Sequence, residues 1–449
     1  MIALSVTFLS IYLLFFAIIG VLDFYKINNF DDYILAGRKQ KESFVTMSIL
    51  ATIIGASATM GIASLAVQYG FAAFLWLGSG GIALILQSVF LSKKIRSFNA
   101  YTLPGIAEIV AGKEGKIIIA LVIVVSWTGI IAAQFVALSS IVALLIDKQN
   151  TTLLIVICSL VVIFYTTFGG QITVIKTDAI QLLFIIMGIG IAIFAALKGT
   201  SITVEKIFEY KGSGSISFIK ILHLIFIVGG AYFVGPDIFS RNFTAKSELI
   251  AQKATFKAGL GLLFFSIAIT LVGIFTAILA PQTTENPFIY IIKNMTTPLF
   301  GIIIAFGLLS AIVSSADTCM LTVAAIIEKD IFGKSRLYAA RLVVAIVGLL
   351  SLMLALFKKD ILSLLIGTYS VFSPGVVFPV FIAIMAKNKY NINKNLWLCA
   401  VAAGGIFGIL SNIIGKEYFS LMGMGFSIIL SILALYCGKE CGYKQKNAV

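Results

Sequence analysis

The sequence predicts an all-α polytopic membrane protein with about thirteen transmembrane helices. Three observations lead there. Of 449 residues, 60% are hydrophobic and only 12% are charged, where soluble domains carry roughly 25% charged residues. Apolar runs of about 20 residues recur from one end to the other, each long enough to cross a hydrocarbon layer of about 30 Å. The basic residues are also segregated. With the N-terminus outside and connections alternating, about 24 of the 33 Lys and Arg residues fall on the cytoplasmic side. The chain is therefore expected in the cell membrane, N-terminus outside and C-terminus cytoplasmic, with the lipid bilayer as its surroundings. The net charge of +14 reflects those cytoplasmic residues and does not call for nucleic acid as a partner.

The first stretch, Met1 to Leu22, lacks a basic leading segment and is longer than a signal-peptide core, so it reads as a retained span. Apolar stretches follow at approximately 44–67, 71–91, 117–146, 152–168 and 174–197, then at 217–236, 256–280, 299–327, 337–356 and 361–386. A last pair lies at 396–415 and 418–437. No long polar insertion separates them, which predicts a single transmembrane domain over 1–449. Basic clusters "GRKQK" (37–41), "SKKIR" (92–96) and "EKDIFGKSR" (328–336) mark cytoplasmic turns. The five cysteines (Cys158, Cys319, Cys399, Cys437 and Cys441) are scattered, and no other soft ligand joins the one close pair to make a metal site.

Two spans are interrupted. "SILATIIGASATMGIASLAVQYG" (48–70) is dense in Gly, Ala, Ser and Thr. Small residues allow close helix packing, but they also weaken a helix, and a break at mid-membrane exposes carbonyls that can hold a cation. "VGGAYFVGPDIFSR" (228–241) repeats the pattern five spans later, the spacing that two inverted five-helix repeats would produce.

The segment "GLLSAIVSSADTCMLTVAAII" (307–327) sets an acid among hydroxyls inside an apolar run. Asp317 precedes the charged cluster at 328–330 by eleven residues, roughly 16 Å along a helix. At that depth an acid costs about 2.5–3.5 kcal/mol, which demands a partner, a proton or a function. Ala311, Ser314, Ser315 and Thr318 share one helix face, with Asp317 at its flank. Hydroxyls and carbonyls are hard oxygen donors suited to an alkali cation. The plainer alternative has the hydroxyls bonded back to their own helix and Asp317 packed against a neighbour.

"SSADTCMLTVAAIIEKDIF" (314–332) resembles the Ser-Ser-Ala-Asp-Ser segment of the sodium:solute symporter family. "FDDYILAGRK" (30–39), "YTLPGIAEI" (101–109), "YTTFGGQITVIKTDAIQ" (165–181) and "GPDIFSRNFTAKS" (235–247) resemble that family in the same order. The resemblance implies a LeuT-type core of five plus five inverted helices, one helix before it and two after. Residues 1–42 would form the leading helix and first cytoplasmic loop, and 43–197 and 217–386 the two repeats. Residues 396–449 would be the two extra helices and the tail. It also implies a sodium site from the carbonyls of Ala51, Ile54 and Ala311 and the hydroxyls of Ser314 and Ser315. A second sodium site in some members matches Asp178, Ser314, Asp317 and Thr318, with Thr where the family usually has Ser. Asp178 has an equally good reading as a helix-start acid near Lys176.

For the substrate, the resemblance points to Gly55, Ser57, Ala58 and Thr59 after the first break, Gln134 in the fourth span, and Gly230 and Tyr232 at the second break. Gln134 is read equally well as an interhelical hydrogen-bonding residue. The polar residues of sugar-transporting members are absent at Ile53, Ser57 and Ala58, and no arginine lies between 117 and 146, as the sialic-acid type requires. A small amino acid or a monocarboxylate is expected, its carboxylate held by helix N-terminal amides. Asp237 stands where the family's inner gate usually has an aromatic residue or His, and its spacing from Arg241 suits a helix-end ion pair. His223, the single histidine, reads as a packing residue.

The function implied is sodium-coupled symport of a small organic solute by alternating access, with Na+ as the coupling ion. A proton-coupled symporter of the same fold, using Asp317 or Asp178, and a transporter-like solute sensor are the alternatives. No nucleophile–base pair, His cluster or phosphate loop suggests an enzyme, and no acidic ring or filter motif suggests a channel. The sequence leaves the oligomeric state open.

Overall fold

In hydrocarbon the backbone has no water to bond, so a chain this apolar satisfies its N–H and C=O groups within helices. A computed structural model describes residues 2–146, 151–198, 203–358, 360–386 and 390–446. The basic residues at 148, 359, 387 and 389 and the end of the expected tail, 447–449, lie outside them. Eleven helical stretches among the described residues are long and apolar enough to cross a membrane. They differ from the thirteen apolar stretches of the sequence in two places. Thr152–Lys198 spans 47 residues, far beyond the roughly 20 a crossing takes, and its backbone turns at Gly170 (φ 58°, ψ −167°). Ser57–Phe90 joins the second half of the first interrupted helix to the helix after it, while the first half, Glu42–Ile53, falls short of a span.

Helix α1 (Ile2–Phe24) packs along the later α8 and leaves Leu14, Ile18 and Leu22 exposed, as a lipid-facing helix does. The short α2 (Phe30–Leu35) is capped by Asn29, whose side chain accepts from the Asp32 N–H at 2.8 Å. Helix α3 (Glu42–Ile53) stops at Ile54 (φ −78°, ψ 69°), and a π-helical turn at Ser57–Gly61 leads into α4 (Ile62–Tyr69). The sequence's first break is therefore real and lies at 54–56. Helices α5 (Phe74–Phe90) and α6 (Ser92–Ser97) follow, then α7 (Pro104–Ile146), which begins well before the expected start at 117 and bends at Gly112 (φ 63°). Helix α8 (Thr151–Lys198) bends at Gly170, where the positive φ and the Tyr33 ring and carbonyl, which fill the space a side chain would need, both call for glycine.

After the short α9 (Val204–Glu209), the second interrupted helix is built from α10 (Phe218–His223), a π-helical turn at Leu224–Val228, α11 (Gly229–Phe233) and α12 (Pro236–Thr244). Pro236 opens α12 at the position where its missing N–H costs nothing. Helix α13 (Glu248–Leu279) packs on α5, and α14 (Pro287–Asn294) caps the turn into α15 (Pro298–Ile326). Helix α15 lies against α8 and α7 and is buried at every residue from Ile304 to Ile326. Its hydroxyls and its acid thus face protein, not lipid. Helices α16 (Leu337–Phe357), α17 (Ile361–Phe372), α18 (Phe378–Ala386), α19 (Lys394–Ile414) and α20 (Tyr418–Lys446) complete the chain, the last two packed on each other.

Candidate ion and solute site

The break after α3 and the middle of α15 meet at the centre of the bundle. The Ser314 hydroxyl lies 2.8 Å from the Ala51 carbonyl and 3.0 Å from that of Ala311. Ser315 Oγ lies 2.6 Å from the Thr52 carbonyl and 3.1 Å from Ala311 O. Four of the five oxygens expected for a sodium site are thus joined directly, and Ile54 ends α3 at the break. The donor set fits a hard monovalent ion: every atom is a neutral oxygen, and each hydroxyl that now donates to a carbonyl can turn a lone pair to a cation instead. Gly55 is required here. A Cβ on it would collide with Ser315 Oγ and come within 3.1 Å of Gln134 Nε2.

The acids form a second, adjoining network. Asp178 Oδ2 accepts from the Ser48 hydroxyl and, at 3.3 Å, from Arg241 Nη2. The same Nη2 reaches Thr52 Oγ1 at 3.3 Å and the Thr318 hydroxyl. Asp317 instead faces α8, where Tyr165 donates to its Oδ2 at 2.6 Å. Asp178, Asp317, Arg241 and Thr318 are all inaccessible to solvent. Of the second sodium set, Asp178 and Thr318 are therefore bridged by a guanidinium, while Ser314 belongs to the carbonyl cluster. Asp178 Oδ1 and Arg241 Nε have no hydrogen-bond partner among the described residues.

Two expectations are corrected. Arg241 does not pair with Asp237 four residues earlier but with Asp178 on α8, because its side chain turns inward from α12 to the buried acid. Asp178 is not a helix-start acid: it lies two turns past the bend at Gly170. Lys176 is bound elsewhere, to Asp23 at 2.7 Å. His223 is a buried packing residue, its Nδ1 3.2 Å from Ser420 Oγ of α20.

Beside the oxygen cluster is a small cavity of about 30 Å³, room for a water or two. Of the residues expected near a solute, Gly55, Ser57, Gln134 and Tyr232 line it, and so does Asp237. Ala58, Thr59 and Gly230 do not. The Thr59 hydroxyl is spent on the Gly55 carbonyl at 2.9 Å, and a side chain at Gly230 would point toward Met424 and Val377. Gln134 Oε1 accepts from the Ala56 N–H at 3.0 Å, so it caps the second half of the broken helix and relieves one of its unpaired donors. Sequence reasoning missed Tyr369 and Cys319, which also line the cavity. Tyr369 lies 6.2 Å, centroid to centroid, from Tyr232, and Trp127 is set edge-on against Phe372 at 4.7 Å. Cys319 lies one turn after Ser315 on the same helix face, a spacing that could have found it; Tyr369 carries no local signal, because α17 reaches the site only through the tertiary fold. Arg241 was signalled only by the need of a buried acid for a counter-charge.

The chain resembles proteins of known activity. It is 26% identical over 408 residues to the mouse high affinity choline transporter 1, covering 82% of this chain and 66% of that protein. It thus spans about two thirds of the choline transporters it matches. It is 24% identical over 457 residues to the sodium/proline symporter of Escherichia coli, covering 92% and 88% of the two chains. These relatives are transporters and not enzymes. The fold is shared with a Na+-coupled sialic acid symporter (TM-score 0.80, 18% identity, 96% of this chain and 98% of that one). It is shared also with Mhp1, a nucleobase-cation-symport-1 family transporter (TM-score 0.67, 16% identity, 91% and 95%). The family model for sodium:solute symporters matches residues 33–398, and the chain belongs to the sodium:solute symporter family.

Proposed function

We propose that this chain is a sodium-coupled symporter that imports a small organic solute by alternating access. The observation that carries this reading is the cluster of Ala51, Ala311, Ser314 and Ser315 oxygens, which ties the break after α3 to the middle of α15. One sodium bound there would bridge the two helices, with Ile54 supplying the fifth oxygen. We assign the coupling ion to this cluster in preference to the Asp178, Asp317 and Thr318 set, because the Arg241 guanidinium already compensates Asp178. The solute would occupy the adjoining cavity. Its present volume of about 30 Å³ admits no organic molecule, so the lining helices must part to load it. In this reading the segments 43–197 and 217–386 move against each other, with the N-terminus outside and the C-terminus in the cytoplasm.

Sodium binding is measurable before the solute is known. The purified full-length protein in detergent is unfolded thermally in potassium buffer and then in rising sodium at constant ionic strength. An ion at a hundred times its Kd stabilises by about 2.7 kcal/mol. A sodium-specific rise that disappears in Ser314→Ala/Ser315→Ala is the expected result. Equal responses to sodium and potassium, with stability following pH instead, would sink the reading and favour proton coupling.

A further inference from the structure

We propose that the segments 36–40, 96–101 and 244–246 form a latch that closes one end of the bundle, under a backbone strain that opening releases. The latch presupposes the alternating-access reading above and gives it a closed side, the one that carries the basic clusters.

A second cavity, of about 10 Å³, has room for a single water. Two helices line both it and the solute cavity. On α12, Asp237 lines the solute cavity, and Pro236 and Ser240 line the second. On α15, Cys319 lines the first and Thr322, one turn on, the second. Both helices run on from there to the latch, α12 ending at Thr244 and α15 at Ile326, just before Lys329. Tyr101 of the latch lines the second cavity too. Packing alone does not explain its polar lining: Thr322 and Gln171 leave Oγ1 and Nε2 buried without a partner among the described residues. Along α12 and α15 the second cavity therefore lies between the solute cavity and the latch.

The Gln40 N–H donates to the Thr244 carbonyl at 3.1 Å, and the Lys246 N–H to that of Gln40 at 3.0 Å. The entry to α3 is thus paired with the exit from α12. Arg96 Nε donates to the Ala245 carbonyl at 2.7 Å, and its Nη1 to Asn99 Oδ1 at 2.9 Å. Arg38 Nη2 donates to the carbonyls of Asn99 and Ala100 at 2.9 and 3.0 Å. Tyr101 donates to Asp31 Oδ1 at 2.7 Å, and the Lys329 ammonium lies 4.4 Å from its ring centre. One half of each broken helix is thereby fastened to the start of α7 and the end of α15. The fastening is strained. Ala36 (φ 47°), Arg38 (φ 55°) and Asn99 (φ 51°) are the non-glycine residues with positive φ among the described residues, and all three stand in it. Such backbone persists only where its surroundings hold it, and it collects in switch regions. Arg38, Arg96 and Tyr101 are half-buried, so opening exchanges their hydrogen bonds for water at little net cost. The strain then favours opening, and the closed and open forms lie close in energy, as a gate requires.

The test reads thiol labelling of the full-length protein in potassium buffer, with the five cysteines replaced by alanine and an unfolding midpoint equal to the parent's. Thr322→Cys reports the second cavity and Ser57→Cys the solute cavity beyond the break; a charged methanethiosulfonate is the probe. Arg38→Gln is expected to speed labelling at 322 by at least about tenfold and to leave the rate at 57 unchanged. Arg38→Lys, which keeps the charge but not the planar fork, falls between. Ala36→Gly, which relieves the strain of the closed form, slows labelling at 322 about fivefold. No acceleration at 322, equal acceleration at both positions, or Ala36→Gly labelling as fast as the parent would each overturn the latch. The sodium-dependent unfolding shift is read separately on the same proteins. Its presence beside an unmoved labelling rate leaves the symporter reading standing, and its absence in the parent sinks that reading.

Discussion

Arg241 and Asp178 provide the sharpest test of how the centre of this bundle is held. Both are inaccessible to solvent, and they meet at 3.3 Å. At an effective dielectric constant of about 20, two unit charges at that separation attract by about 5 kcal/mol. Each ion has also given up its hydration, so the net worth of the pair is smaller than that attraction. Removing one partner is different, because it leaves an uncompensated charge in the interior and costs about 3–5 kcal/mol. Arg241→Met is expected to fall in that range, since it also frees the hydroxyls of Thr52 and Thr318. Asp178→Asn strands the guanidinium but keeps an acceptor for Ser48. The double variant should be more stable than the sum of the two losses predicts, by at least about 2 kcal/mol, because neither charge is then left alone. Equilibrium unfolding of the four proteins in mixed micelles gives the cycle. Additivity within about 0.5 kcal/mol would refute the view that the guanidinium and the carboxylate compensate each other.

Two further substitutions probe the scaffold. Gly170→Ala combines a φ of 58° with a collision against Tyr33; it should destabilise by more than about 1 kcal/mol and be seen as a lowered unfolding midpoint. Gln134→Leu removes the acceptor of the Ala56 N–H, leaving a buried donor unpaired at a cost of about 1–3 kcal/mol. If Gln134 merely fills space, the same variant will unfold with the parent.

Most of the architecture was legible because hydrocarbon imposes simple rules. Apolar length gave the spans, and runs of small residues located both broken helices to within a few residues. The helical repeat put Ala311, Ser314 and Ser315 on one face, and the resemblance supplied Ala51 on the opposite helix. The missing parts depend on partners distant in sequence. Asp237 and Arg241 have the spacing of a local ion pair, yet the arginine chose an acid 63 residues away, because a buried carboxylate gains more from compensation than one at a helix start. Tyr369 gave no signal, since an aromatic residue in an apolar span looks the same whether it faces lipid or a cavity. Gly230 does not line the cavity for a related reason: a glycine marks a weak point in a helix without saying which side it presents.

The oxygen cluster and the cavity are not separate sites joined by a pathway. Ser315 belongs to both: its hydroxyl touches the carbonyls of Thr52 and Ala311, and it lines the cavity. Thr52, just before the break, and Gly55, within it, line the cavity as well, and Gly55 is hemmed in by Ser315 and Gln134. Any ligand that fixes the end of α3 against α15 would therefore set one wall of the cavity directly. An ion at the cluster would do this by drawing the Ala51 carbonyl and the two serine hydroxyls onto one centre. A solute against the break would hold the same atoms from the other side. Both ligands then favour one arrangement of the same residues, and a coupling of about 1–3 kcal/mol between them needs no long-range mechanism. Reciprocity follows: the factor by which sodium tightens the solute is the factor by which the solute tightens sodium. In the proposed reading, a break that passes through Gly55 and Ala56 would let one stretch of backbone serve both ligands.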